Sequence, residues 1–290
     1  MMLQQQIKEG TETAPTGGRI GKLLLESGRL SAAQIEQVWR YQQEKSLRFG
    51  HAAIELGFIS EADLQFALAR QFDYACLQPG DGVLDERIVA AYAPLGGYGE
   101  QLRSLRNELS QRWFQRGRNS VVVLGEQPDS DGSVLLANLA VVFTQLGERT
   151  LVLDANLRNG CQHSLFHLEN RQGLSDLLAG RADSHCIQSI CRLPGLDVLT
   201  CGTAAPNPQE LLARPRFRQL LTELEQRYDV ILLDVPPLAA CADAQVVVAP
   251  VQGAVIVARQ HASTLKGMQQ LLTRLQNAGA EVVGCVLSGA

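Results

Sequence analysis

The sequence predicts an α/β protein, a doubly wound parallel sheet preceded by a small helical domain built from a tandem repeat. Three observations carry this. From residue 119 onward, apolar β-branched runs alternate with helical patterns, giving strands at about 119–125, 150–154, 196–200, 229–234, 253–258 and 281–287. Helices are expected at about 133–147, 173–179, 207–227 and 264–279. The first strand, Val121-Val-Val-Leu124, enters a tight loop and then a helix with Leu135, Leu136, Leu139, Val142 and Phe143 on helical spacing. Upstream, Arg19-Ile-Gly21, Gly28, Leu30, Ile35 and Gln42 recur 29 residues later as Arg48-Phe-Gly50, Gly57, Ile59, Leu64 and Gln71.

Length and composition bound the possibilities. A chain of 290 residues suggests about two domains. A net charge of −4 provides no basic field for nucleic acid or an acidic membrane, so neither is expected as a partner. Seven cysteines without a C-x-x-C pair form no zinc or disulfide framework and read as reduced, mostly buried small hydrophobes. No run approaches the ~18 consecutive apolar residues of a membrane span. Residues 1–18 are polar, lack an apolar leader core and read as a flexible lead-in. The expectation is a cytoplasmic protein.

The repeat occupies residues 19–75. Each copy reads as a short helix (22–27, 52–56), a Gly-ended turn, a Ser cap (Ser31, Ser60) and a longer helix. A duplicated core explains the apolar positions, and two packed hairpins could serve only for docking. Recurrence of Arg and Gln asks for a polar reason: a guanidinium stacks on a purine and an amide reads a base edge. The doubled pattern resembles the N-terminal domain of type II secretion and pilus ATPases (MshEN-like), one branch of which binds cyclic di-GMP. The resemblance implies Arg19, Gln42, Arg48 and Gln71 as its contacts. Trp39, Phe49 and Ala53 depart from the pattern.

Residues 76–98 read as a linker ending in Gly96-Gly97-Tyr98-Gly99, with the second domain at 99–290. Its first helix places Leu102, Leu105 and Leu109 on one face and Glu100, Arg103 and Arg106 on another. Spacing alone suggests a solvated face with an internal ion pair. E-x-x-R-x-x-R directly before a strand also resembles the bacterial tyrosine kinases that accompany exopolysaccharide export. There this helix packs on the neighbouring subunit, so the resemblance implies a homo-oligomer.

Strand, loop and helix at 121–140 form the frame of a phosphate-binding loop, in which amides and a lysine hold phosphates. Against G-x-x-x-x-G-K-[S/T], Ser133 holds the hydroxyl place, but Gly132 stands for the Lys and Asp131 for the preceding Gly. Thr150-Leu-Val-Leu-Asp154-Ala-Asn156-Leu-Arg158 resembles the same kinases' D-x-D-x-R motif, with Asn156 replacing an acid. Val230-Ile-Leu-Leu-Asp234 resembles a Walker B strand, and 202–212 the G-x-x-x-P-N-P-x-E-L-L segment. Together they imply a P-loop NTPase-like kinase domain of the EpsG-type chain-length-determinant kind. Its catalytic acids would be Asp154 and Asp234, its nucleotide contacts Gly132, Ser133 and Arg158, and its Mg²⁺ ligands Ser133, Asp154 and Asp234.

Chemistry at the loop opposes the inherited activity. The family loop's two glycines are Asp129 and Asp131 here. A carboxylate ~6 Å from a phosphate costs about 2–3 kcal/mol at an effective dielectric near 20, and the lost cation removes a comparable favourable term. A helix dipole returns only about 0.3–1 kcal/mol. Asn156 weakens the acid set, and the five tyrosines are dispersed rather than gathered in a C-terminal tail. The expectation is a tyrosine-kinase-like pseudokinase regulating exopolysaccharide polymerisation and export. It would be recruited by an inner-membrane copolymerase protein and would sense cyclic di-GMP. The alternative is an active ATP/Mg²⁺-dependent autokinase. A positioning-type ATPase is disfavoured because its paired lysines are absent.

Overall fold

The computed structural model describes residues 18–72, 74–127, 131–238 and 242–289, which divide into two compact units at Tyr74/Ala75. The expected lead-in falls almost wholly outside the described residues.

The first unit holds α1 (Gly18–Glu26), α2 (Ala32–Lys45), α3 (Phe49–Glu55) and α4 (Glu61–Gln71). Both long helices begin with a capping box: Ser31 with Gln34, and Ser60 with Asp63. The turns before them place Gly28 and Gly57 at the same φ of +69°, a conformation that strains residues with a Cβ. Leu24, Leu30, Ile35, Val38, Ile59 and Leu64 form a shared core, and Arg29 bonds Asp63 across the copies at 3.0 Å. The duplication is thus a structural repeat as well as a sequence one.

The second unit opens with α5 (Val89–Tyr92), α6 (Gly97–Arg112), β1 (Ser120–Gly125), α7 (Gly132–Thr144) and β2 (Thr150–Asp154). It continues with α8 (Gln162–Leu165), α9 (Leu174–Leu178), β3 (Gln188–Ser189), β4 (Leu196–Leu199), α10 (Pro208–Leu212) and α11 (Pro215–Glu225). It closes with β5 (Val230–Asp234), α12 (Asp243–Val251), β6 (Gly253–Arg259), α13 (Leu265–Asn277) and β7 (Glu281–Ser288). The strand order is β3-β4-β2-β5-β1-β6-β7, parallel throughout except for β3. Side chains alternate across it. Val122, Leu124, Leu151, Leu153, Ile231 and Leu233 pack with α9–α13, while Val121, Val123, Val152, Val230 and Leu232 pack with α5–α8. Both faces are covered, which is why the strands read as unbroken apolar runs.

Several expectations are corrected. The stretch 76–98 is not a linker. Leu77, Leu84, Ile88, Ala90, Ala91 and Tyr92 are buried in the second unit, and Asn138 of α7 accepts from Ala90 N and donates to Arg87 O. The helix expected at 207–227 is two helices, because Pro215 lacks an N–H and starts a new one. Helix α12 and strand β3 were not anticipated. Cys191 and Cys285 are exposed rather than buried, and Cys241 lies outside the described residues.

Candidate nucleotide and metal site

β1, β2 and β5 are neighbours, so their carboxyl ends converge at the entry to α7. In register, Asp154 of β2 pairs with Asp234 of β5, and both are buried. Gln162, fully buried at the start of α8, joins them. Its backbone N–H donates to Asp154 Oδ2 (3.1 Å), and its Nε2 donates to Asp234 Oδ2 (2.6 Å) and Ser133 O (3.1 Å). The Ser133 hydroxyl faces the Asp234 carboxylate and the Cys161 thiol. Burial pushes the Asp154 carboxyl well above the usual range, and the charge of Asp234 adds to the shift. Burial also raises Asp234, against the hydrogen bonds from Gln162 and Ser133. A cation between them would relieve that electrostatic cost. Ser133, Asp154 and Asp234 form an all-oxygen set that fits Mg²⁺.

The phosphate side fits less well. Asp131 precedes Gly132 at the start of α7 and makes no side-chain cap, so it leaves the first-turn amides uncapped by its carboxylate. Those amides suit an anion. Yet from Glu126 to Val134 the loop has no Lys or Arg, and the exposed Asp131 is close enough for its charge to raise the Tyr98 phenol further after burial. Asp129 lies outside the described residues. Beside the loop, Lys266 and Arg274 line a cleft of about 390 Å³ with Glu126 and Gln127. Glu126 there accepts from Thr264 N at the start of α13.

The other predicted residues take varied places. Asn156 is engaged with its own turn: Nδ2 donates to Asn159 O (3.2 Å), and Oδ1 accepts from Asn159 N (3.1 Å). Arg158 forms a two-point ion pair with Asp243 at 2.7 and 3.1 Å, and Asp243 is 1% exposed. Arg106 departs from the expected solvated face. It is buried, and Nη1 donates to Val142 O of α7 (3.0 Å). Arg103 donates to Pro94 O and bonds Glu100, which confirms the internal ion pair. In the first unit, Arg19 lies in the first turn of α1 and Arg48 is the N-cap residue of α3, both exposed. Gln42 and Gln71 lie half-buried in the last turns of α2 and α4. The Gln71 Oε1 is buried without a hydrogen-bond partner.

Sequence reasoning missed Gln162 and Asp243. No motif marks either. An Arg four residues past a strand-end acid could have prompted a search for an acidic partner at a helix start.

The sheet order, the strand-end carboxylates and the loop leading into α7 define a P-loop NTPase-like domain. The AAA domain family matches residues 133–282. The tyrosine-protein kinase Etk of Escherichia coli K12 is 37% identical over 190 residues, 66% of this chain and 26% of that protein. The solved kinase domain of Escherichia coli Etk superposes with a TM-score of 0.67 at 36% identity, covering 70% of this chain and 80% of that one. The Pyrococcus furiosus cell division ATPase MinD shares the fold, with a TM-score of 0.50 at 23% identity, covering 58% of this chain and 71% of that one. The chain belongs to the bacterial tyrosine kinase family within the AAA domain group. It spans about a quarter of the length of the curated relatives it matches.

Proposed function

We propose that this chain is a tyrosine-kinase-like regulator of exopolysaccharide polymerisation and export whose nucleotide domain is a pseudokinase. One observation carries the reading: the metal-side acids Asp154 and Asp234 are in place, while the phosphate-side loop carries Asp131 and Gly132 and no cation. Phosphates would meet the Asp131 carboxylate in the place of a glycine and bare Gly132 in the place of the lysine, so the net electrostatic term is repulsive. Regulation would then come from docking, with an inner-membrane copolymerase as partner and with self-association.

The recurring Arg19, Arg48, Gln42 and Gln71 support cyclic di-GMP as the ligand of the first unit. Titration calorimetry of the whole chain with cyclic di-GMP tests this. Heat that disappears in Arg19→Ala/Arg48→Ala supports the reading; no heat from the unaltered chain removes it.

A second reading has its own observation. Ser133, Asp154 and Asp234 converge as an oxygen set, as an active ATP/Mg²⁺-dependent autokinase needs. Asp234→Ala separates the readings. An autokinase loses phosphotyrosine formation in the variant, whereas a pseudokinase has none to lose.

A further inference from the structure

Three donor side chains of different chemistry meet beside the nucleotide position. Asp154 ends β2. Cys201 follows β4, the strand beside β2, and His163 lies on α8 above them. One carboxylate oxygen, one imidazole nitrogen and the thiol sulfur all lie within 4.8 Å of one another. The His163 Nδ1 is buried and has no hydrogen-bond partner, while Nε2 is 3.2 Å from Ser164 Oγ. One ring nitrogen placed at a hydroxyl, with the other unpartnered, is an arrangement that suits a metal-ligating histidine. Asn170 Nδ2 is 3.3 Å from the Cys201 sulfur and supplies an outer contact to it. A Cβ on Gly160 would lie 2.6 Å from both Asp154 Oδ2 and Cys201 Sγ, so the bare backbone there lets these two donors approach.

We propose that Asp154, His163 and Cys201 form a binding site for one borderline-soft divalent transition ion of the zinc type. Mixed sulfur, nitrogen and oxygen ligands select such an ion over Mg²⁺, which takes oxygen. Bonds of about 2.0–2.3 Å set tetrahedral edges of about 3.3–3.8 Å, so the donors close by roughly an ångström when the ion enters. Binding breaks the Cys201 S–H bond, forms a sulfur–metal bond and releases the proton to solvent. Three protein ligands leave a fourth position for water or a ligand. Asp154 belongs to both sets, so a transition ion here and Mg²⁺ at Ser133 and Asp234 would compete for one carboxylate. The ion would tie the carboxyl ends of β2 and β4 to α8.

The test is Co²⁺ titration of the untagged 290-residue chain under reducing conditions, followed by absorbance. The expected result is one equivalent bound with a sulfur-to-cobalt charge-transfer band, bleached by one equivalent of Zn²⁺ and weakened only by a large excess of Mg²⁺, which shares Asp154 but not the sulfur. Cys201→Ser should abolish the band, Cys161→Ser should keep it, and His163→Asn should weaken Co²⁺ binding by more than about tenfold. His163 is only half-buried, so this variant decides the matter should Cys201→Ser fail to fold. A spectrum without sulfur ligation, a band that survives Cys201→Ser, or unchanged affinity in His163→Asn would overturn the proposal.

Discussion

At the scale of single residues, Gln162 does what neither aspartate can do alone. Two buried carboxylates on paired strands repel when ionised, and one amide group bonds Asp234 and the start of α7 together. Gln162→Leu keeps the volume but leaves Asp234 without that donor. It should destabilise the second unit by about 1–3 kcal/mol in denaturant unfolding; unchanged stability would show that the bridge is unimportant. Asp85 gives a pH dependence. The two-point hydrogen bond from Arg87 holds its carboxyl down to about 2. A depressed carboxylate contributes stability that is present above its unfolded value of about 3.9 and lost as pH falls through the folded one. Arg87→Ala should therefore flatten the decline in melting temperature between about pH 4 and pH 2. A parallel curve would contradict this. Neither residue was legible beforehand, because a polar side chain in an irregular segment has no periodicity to reveal its partner.

At the scale of elements, patterns with a period were readable and interruptions were not. β1 and β5 stood out as apolar runs, and Ser31 and Ser60 as caps, because local chemistry sets both. Helix α12 was hidden because Gln245-Val-Val-Val-Ala-Pro250 resembles a strand, and its helical state depends on packing against the sheet. The stretch 76–98 carries turn signals yet packs by contacts distant in sequence, such as Asn138 with Ala90. Arg106 illustrates the same limit: helical spacing places it on a charged face, but only the fold brings Val142 O within reach. Arg106→Ala should lower stability by about 1–3 kcal/mol through the lost α6–α7 bond. Light scattering read beside denaturation checks the role. A smaller oligomer with unaltered stability would make Arg106 an interface residue instead. Ser60→Ala should cost about 1 kcal/mol in the first unit, seen as an earlier loss of its helical signal on heating.

At the scale of the molecule, a duplicated helical unit and a kinase-family unit share one chain, and the two carry different ligand expectations. The doubly wound fold and the strand-end acids were visible in the sequence. The engagement of Asn156 in its own turn, the Arg158–Asp243 pair and the meeting of Asp154, His163 and Cys201 were not, since each joins side chains through the folded backbone. The departure of the loop from G-x-x-x-x-G-K-[S/T] is a local matter of residue identity, so the proposed loss of phosphate binding is open to a reversal test. Gly132→Lys, which returns a cation to the start of α7, should strengthen Mg²⁺–ATP binding by about tenfold or more; no gain would point to Asp131 or to the fold of the loop. The most direct measurement remains calorimetry of the unaltered chain with Mg²⁺–ATP at millimolar concentration. The pseudokinase account predicts no binding heat. Micromolar binding would contradict it and would mean that Asp131 turns away from the phosphates or holds a bridging cation.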